Sequence, residues 1–194
     1  MTIAVDAPGA LGSLKEFKVT WEQWGNPNAP GDKTIVIFPS FSHGSHAKSS
    51  EADSSPGWWE FMIGPGEYLD TDKYRVICPS FVGSPHSPSS PMSVNPETGT
   101  LKHPYGPEFP QVTPGDMAYC HSLLLKELGI DKVHSVIGGS LGGMQVVAFM
   151  TLFPEMTDRA VIISGTARTS PFSSALRLMQ RNAIEGDPNY FGGL

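Results

Sequence analysis

The sequence predicts an α/β fold with a mostly parallel, doubly wound sheet. Three short runs, at residues 34–38, 74–78 and 159–164, are too short for helices and apolar on both faces, as strands of a parallel sheet are. Segments with helix signals alternate with these runs, which is the order of a doubly wound sheet. The stretch 133–153 completes the pattern, because a β-branched run stops at a group of glycines and restarts as an apolar helix.

Ser140 lies at this break between strand and helix. With Gly138 and Gly142 it forms the G-x-S-x-G pattern of a nucleophile elbow, in which the serine occupies a strained strand-to-helix turn. Only small neighbours fit around such a turn, which exposes the serine oxygen and directs the free amides of the helix N-terminus towards it. The amide of Leu141 is therefore the expected oxyanion donor. The alternative is that this stretch is only a buried strand followed by a glycine-rich helix, with no catalytic role.

Two further helices and an edge strand have clear local signals. One helix is predicted to begin with Thr113 as its N-cap and to end at Gly129. The last helix is predicted from Ser170 through about Glu185. Apolar and polar residues alternate over 17–22, which predicts one half-exposed strand at an edge of the sheet.

Composition narrows the range of functions. The 194 residues are one domain's length, and 13 basic against 19 acidic residues give a net charge of −6 without a basic run. We therefore expect a small-molecule partner, with no nucleic-acid and no membrane partner. The N-terminal stretch has no pattern of a secretory signal, and Cys78 and Cys120 do not make a disulfide framework, so the cytoplasm is the expected location. The histidine spacing suggests no metal site.

Several motifs together resemble one known family. They are WEQWG at 21–25, GWWEFMIGPG at 57–66, DTDKYRVIC at 70–78, NPETG at 95–99, YGPEFP at 105–110 and GGSLGGMQ at 138–145. The chain is similar, nearly from end to end, to the homoserine O-acetyltransferase family of α/β-hydrolase-fold acyltransferases. This family includes serine O-acyltransferases and the deacetylcephalosporin C acetyltransferases. The resemblance implies an α/β-hydrolase fold.

The resemblance also implies an activity, which is transfer of an acetyl or succinyl group from acyl-CoA to the hydroxyl of L-homoserine or L-serine. Ser140 would carry the acyl group between the two half-reactions, and the amides of Phe41 and Leu141 would form the oxyanion hole. Acyl-CoA would be a co-substrate, with no cofactor held permanently. An esterase or thioesterase of the same fold, and a non-catalytic scaffold or binding subunit, are the alternatives.

The loop after the first central strand departs from the family. Most members have a leucine followed by TGDSH, whereas this chain has Phe41 followed by SHGSH. The resemblance places this loop against the acceptor, which makes the implied substrate-binding residues Ser42, His43, Gly44, Ser45 and His46. For the two histidines, a bond to nearby backbone is the alternative role.

Arg177 lies in the last predicted helix, near where the resemblance places the acyl chain. Its planar guanidinium would bind the free carboxylate of a succinyl group, which an acetyl group lacks. A solvated helix-surface arginine is the alternative.

The position of the histidines in the sequence indicates whether this chain contains a complete catalytic triad. In this fold the catalytic acid and histidine follow the serine along the chain, but all six histidines precede Ser140. We therefore expect residues 1–194 to be the N-terminal part of a single domain. A C-terminal part would add the last strands, the lid, and the catalytic Asp and His, and the complete enzyme could be a homodimer. Alone, this chain is expected to be nearly inactive and to expose an apolar strand at 159–164.

Overall fold

The computed structural model describes residues 2–4, 14, 16–95 and 104–192. The helices are α1 (Pro114–Glu127), α2 (Leu141–Leu152) and α3 (Pro171–Glu185). The strands are β1 (Thr2–Ala4), β2 (Glu16–Lys18), β3 (Trp21–Trp24), β4 (Thr34–Phe38), β5 (Ile63–Gly64), β6 (Leu69–Asp70), β7 (Arg75–Pro79), β8 (Ser135–Gly139) and β9 (Ala160–Ile163). Of the predicted motifs, NPETG at 95–99 lies outside the described residues except for Asn95.

A five-stranded sheet of order β3-β7-β4-β8-β9 forms the centre of the domain. Strand β4 lies in the middle and pairs in parallel with β7 and with β8, and every one of its residues is buried. Strand β9 continues the parallel part beyond β8 and ends the sheet on that side. The α/β class and the mostly parallel sheet are confirmed, and both follow from the buried apolar runs read in the sequence.

The strand predicted over 17–22 is wrong in one respect, because the structure has two strands there. Strand β2 pairs antiparallel with β1, whereas β3 pairs antiparallel with β7 in the main sheet. The chain changes partner at Thr20, whose carbonyl accepts from the Ser80 amide at 2.8 Å and whose amide donates to Ser80 Oγ at 3.1 Å. The predicted edge position is confirmed for β3.

Helices α1 and α2 pack against one face of the sheet. Helix α1 begins with a capping box, in which the Thr113 side chain accepts from the Asp116 amide while the Asp116 carboxylate accepts from the Thr113 amide. Phe38 and Phe149 meet edge to face in the core beneath these helices, with ring centroids 5.4 Å apart. Strand β4 is therefore fixed from the helical side.

The segment between β4 and β7 covers the opposite face of the sheet. Its side chains Ala47, Ile63 and Leu69 pack against the buried strand residues on that side. Glu60 stabilises the segment, since its carboxylate accepts from Lys48 Nζ, from Ser49 Oγ, and from the amides of Ser49 and Gly57. These bonds hold the pKa of Glu60 far below its ordinary value. The segment is thus tied down where it approaches Ser140.

Strand β9 leaves apolar surface exposed, as predicted. Val161, Ile162 and Ile163 are 47%, 46% and 43% exposed, and among the described strands β9 has a partner on one side only. Helix α3 also begins and ends where predicted, and its apolar side chains Phe172 and Met179 are 73% and 66% exposed. None of the helices in the described part of the chain is long and apolar enough to cross a membrane.

Candidate active site

Ser140 has the backbone geometry of a nucleophile elbow. It joins β8 to α2 with φ 54° and ψ −118°, a conformation that non-glycine residues adopt only under constraint. Its amide donates to the carbonyl of Ile163 on β9 at 2.9 Å, and its residue surface is exposed. The serine is therefore held in a strained turn with its hydroxyl open to a reactant.

The two motif glycines make this turn possible. A Cβ at Gly138 would lie 2.2 Å from the carbonyl oxygen of Gly142, and a Cβ at Gly142 would lie 2.1 Å from that of Phe38. Both distances are far below any real contact with backbone. At Gly139, in contrast, the nearest atom to an added Cβ is the Ile163 oxygen at 4.0 Å. The turn thus requires glycine at positions 138 and 142 but not at position 139.

The two predicted oxyanion donors lie on neighbouring elements. Leu141 is the first residue of α2, where a backbone amide has no intrahelical acceptor. Phe41 lies in the turn that follows β4, with 72% of its surface exposed. The close approach of Gly142 to the Phe38 carbonyl brings the start of α2 against the end of β4. An oxyanion hole built from both elements remains a prediction that this arrangement permits.

A pocket of about 340 Å³ opens beside Ser140. Its apolar lining consists of Ile37, Phe38, Trp58, Trp59 and Ile163. Its polar lining consists of Ser40, His43, Ser140 and Ser164, together with Gly139. The volume is at the lower end of ligand pockets, about 300–1,000 Å³, which favours a small ligand over a large one.

His43 is the predicted loop residue that shares this pocket with Ser140. Its Nδ1 is 2.6 Å from Ser40 Oγ, and its ring stacks on Trp58 with centroids 4.6 Å apart and planes 1° from parallel. Burial, and to a smaller extent His86, lowers the pKa of His43. A neutral, stacked imidazole therefore forms part of the pocket wall.

The other four predicted loop residues do not line this pocket. Glu22 on β3 accepts from Ser45 Oγ at 3.0 Å and lies 2.8 Å from His46 Nδ1, and His46 Nε2 lies 2.9 Å from the Ser55 carbonyl. The hydrogen bond to Glu22, followed by that to Ser55, raises the pKa of His46.

The Gly44 carbonyl accepts from Trp58 Nε1 at 3.0 Å, and Ser42 is exposed. Ser45, His46 and Gly44 thus tie the loop together within the described structure.

Arg177 is exposed on α3 and is absent from the pocket lining. Its guanidinium donates to Gln180 Oε1 at 3.0 Å on the same helix. Its role towards a succinyl group stays a prediction.

Four further residues line the pocket without having been predicted as site residues, namely Ser40, Trp58, Trp59 and Ser164. The two tryptophans did have a signal, since they are adjacent to each other within the GWWEFMIGPG motif. Ser164 had none, because its place in the pocket depends on a left-handed turn with φ 50° after β9.

The contacts of the Ser140 hydroxyl with the described histidines bear on the predicted absence of a catalytic base. Within residues 2–4, 14, 16–95 and 104–192, no hydrogen bond joins a histidine to the Ser140 hydroxyl. The same described ranges contain no group of three His, Cys, Asp or Glu side chains that could hold a metal ion. What the arrangement offers is an exposed nucleophile, helix amides beside it and a small apolar pocket.

Comparisons with known proteins agree with this geometry. The serine O-succinyltransferase of Emericella nidulans is 43% identical over 182 residues, which are 94% of this chain and 35% of that enzyme. The crystal structure of esterase E22 is 35% identical with a TM-score of 0.81, over 93% of this chain and 50% of that one. Homoserine O-acetyltransferase from Bacillus anthracis is 33% identical with a TM-score of 0.79, over 90% of this chain and 48% of that structure.

These relatives confirm the resemblance read from the motifs. The chain spans about a third to a half of the length of the curated relatives it matches. A family model described as the alpha/beta hydrolase fold matches residues 33–194, which contain the elbow, both oxyanion candidates and the pocket. The chain therefore belongs to the alpha/beta hydrolase fold family.

Proposed function

We propose that this chain carries the nucleophile of an acyltransferase that moves an acetyl or succinyl group from acyl-CoA to the hydroxyl of L-serine or L-homoserine. One observation carries the proposal, namely the exposed Ser140 in its strained elbow at the edge of a small apolar pocket. Relatives named serine O-succinyltransferase and homoserine O-acetyltransferase support this choice of reaction.

The first half-reaction forms an ester on Ser140. The serine oxygen attacks the thioester carbonyl, its proton passes to a base, and the carbonyl oxygen becomes an oxyanion that the amides of Leu141 and Phe41 stabilise. Collapse of this intermediate breaks the carbon–sulfur bond, and the thiolate of CoA leaves with a proton from the protonated base. The acyl group then lies in the pocket against Trp58.

The second half-reaction repeats these steps with the amino-acid hydroxyl as nucleophile. The acceptor oxygen attacks the carbonyl of the Ser140 ester, and its proton passes to the base. The bond between the acyl carbon and the Ser140 oxygen then breaks, and the protonated base returns a proton to Ser140. In this proposal the base and its carboxylate partner come from the portion of the relatives beyond the matched half, and residues 1–194 form the N-terminal part of one domain. Acyl-CoA is a co-substrate in this scheme, and the cytoplasm is the compartment that would supply it.

Kinetics on the chain continued by the C-terminal portion of its relatives tests the proposal. We expect CoA release from succinyl-CoA or acetyl-CoA to depend on serine or homoserine and to follow ping-pong kinetics, with O-acyl amino acid as product. CoA release that does not respond to either amino acid, with free acid as product, would contradict transfer.

Ester hydrolysis is the second candidate, and the similarity to esterase E22 favours it. The same Ser140 ester would then be attacked by water. Because the first half-reaction is shared, only the acceptor dependence and the product separate the two activities. A larger kcat/KM for a short-chain ester in water than for acyl-CoA with serine would favour the esterase.

A further inference from the structure

A buried chain of hydrogen bonds connects α1, α2 and the loop after β4. Gln145 Nε2 donates to the Pro39 carbonyl at 3.0 Å, and Gln145 Oε1 lies 2.7 Å from His121 Nε2. His121 and Gln145 are both 0% exposed. Neither side chain contacts the pocket, and neither has a role in the two half-reactions above. Burying two such polar side chains requires that their hydrogen bonds be made.

The direction of each bond follows from the chemistry of the groups. The Pro39 carbonyl can only accept, so the amide nitrogen of Gln145 must face it and the amide oxygen must face His121. His121 therefore donates through Nε2–H. Its Nδ1 has no hydrogen-bond partner among the described residues, and burial lowers its pKa to about 4. The imidazole is thus neutral at physiological pH and has a single tautomer.

The hydrogen bonds of Gln145 connect two segments that lie next to the two proposed oxyanion donors. Gln145 is four residues after Leu141, which is one turn further along α2. Pro39 precedes Phe41 by two residues in the loop after β4. His121 also contacts the end of β4, from which this loop leaves, because its ring stacks on Phe38 with centroids 4.4 Å apart. One side chain thus bridges the helix that carries one donor to the loop that carries the other.

We propose that Gln145, oriented by His121, is a positioning residue that holds the Phe41 amide at a fixed place relative to the Leu141 amide. This role rests on the proposed acyl transfer. It adds the contact that would hold the two oxyanion donors in place. Phe41 is exposed in the turn that follows β4, and none of the strand pairs in the described part of the chain includes this turn. A displacement of about 1 Å at a catalytic contact costs up to about a hundredfold in rate.

Gln145→Met is the main variant, since it removes both hydrogen bonds and keeps a side chain of similar length. Leu125→Ala is the matched control. Leu125 is 1% exposed on α1, one turn after His121, and packs in the core without joining the network. Each variant is made in the chain continued by the C-terminal portion of its relatives. The measurements are kcat and KM for acyl transfer, melting temperature, and the dissociation constants of CoA and of n-propylboronic acid. The boronic acid forms a tetrahedral anionic adduct on serine and so requires the oxyanion hole.

For Gln145→Met we expect kcat and boronate affinity to fall together by about ten- to a hundredfold, with the CoA constant unchanged. Leu125→Ala should lower the melting temperature and leave kcat and boronate affinity unchanged. The proposal is overturned if Gln145→Met keeps both within about twofold of the parent. Equal losses in Leu125→Ala would also overturn it, because they would trace the effect to lowered stability.

A second variant decides the matter if Gln145→Met does not fold. His121→Phe keeps the stack on Phe38 and the Gln145–Pro39 bond but removes the orienting donor. We expect it to reduce kcat and boronate affinity in parallel by about three- to tenfold, and no reduction in either would contradict the proposal. A parent protein that binds the boronate but transfers no acyl group would count against the proposed function. The positioning role would still be tested by boronate affinity alone.

Discussion

The amide of Ser140 donates to the carbonyl of Ile163 across 2.9 Å, which links the strained nucleophile to strand β9. The same strand pairs with β8, and its residue Ile163 lines the pocket beside Ser140. The elbow therefore depends on β9, which in the described part of the chain pairs with β8 alone and has three apolar side chains more than two-fifths exposed. Stability of β9 and integrity of the site are coupled.

The exposed edge predicts that the 194-residue chain self-associates. Ile162→Lys places a charge on β9 and should shift the chain towards monomer in sedimentation at micromolar to millimolar concentration. Phe61→Lys is the control, because Phe61 is 67% exposed in the segment on the opposite face. A parent chain that is monomeric at high concentration and unfolds cooperatively would contradict this prediction.

The elbow glycines should differ sharply in their tolerance of a methyl group. Gly142→Ala places its Cβ 2.1 Å from the Phe38 oxygen, so the free energy of unfolding should fall by about 3 kcal/mol or more. Gly139→Ala meets nothing closer than 4.0 Å and should change it by about 1 kcal/mol or less. Urea denaturation of both variants measures the difference in unfolding free energy. A loss for Gly142→Ala as small as that for Gly139→Ala would show that the turn can relax around the new Cβ.

The elements that the sequence predicted well are those with local signals. The run at 34–38 is β4 with the same bounds, because five consecutive apolar or β-branched residues fit a doubly buried strand. The Thr113 N-cap and the Ser140 elbow were likewise encoded within four or five adjacent residues. Such patterns determine local backbone geometry from adjacent residues alone.

The features that escaped prediction depend on contacts between distant residues. The stack of His43 on Trp58 requires the segment between β4 and β7 to fold across the sheet. The pair of His46 with Glu22 joins residues that are 24 positions apart. The split between β2 and β3 arises because the chain changes its pairing partner at Thr20. No local pattern encodes these choices.

His46 predicts a pH dependence of stability. The hydrogen bonds to Glu22 and Ser55 raise its pKa in the folded state, so its contribution is fully present below about pH 6.5 and is lost as the pH rises through the folded-state pKa. The contribution should be below about 1 kcal/mol, since the side chain is partly exposed to screening. Unfolding free energies of the parent should therefore decline above pH 6.5. His46→Gln should remove this part of the decline, and Glu22→Gln should remove the larger share of it, since the Ser55 carbonyl remains. A decline that persists unchanged in both variants would contradict the assignment.

The proposed contact of Arg177 with a succinyl carboxylate predicts a preference for succinyl-CoA as the acyl donor. Arg177→Leu should reduce kcat/KM for succinyl-CoA by about ten- to a hundredfold and leave that for acetyl-CoA unchanged, because only succinate offers a carboxylate. Arg181→Leu on the same helix is the control, since Arg181 lies 3.5 Å from Glu185 and should affect neither donor. Equal losses with both donors, or no loss, would favour acetyl transfer with a structural arginine.

Mass spectrometry of Ser140 after brief exposure to acyl-CoA tests the proposed acyl-enzyme most directly. The chain continued by the C-terminal portion of its relatives should gain one acyl group on the peptide that contains Ser140, and added serine or homoserine should remove that group. Ser140→Ala should show neither the adduct nor acyl transfer. An adduct on another residue, or one that survives in Ser140→Ala, would contradict the assignment of Ser140 as the nucleophile.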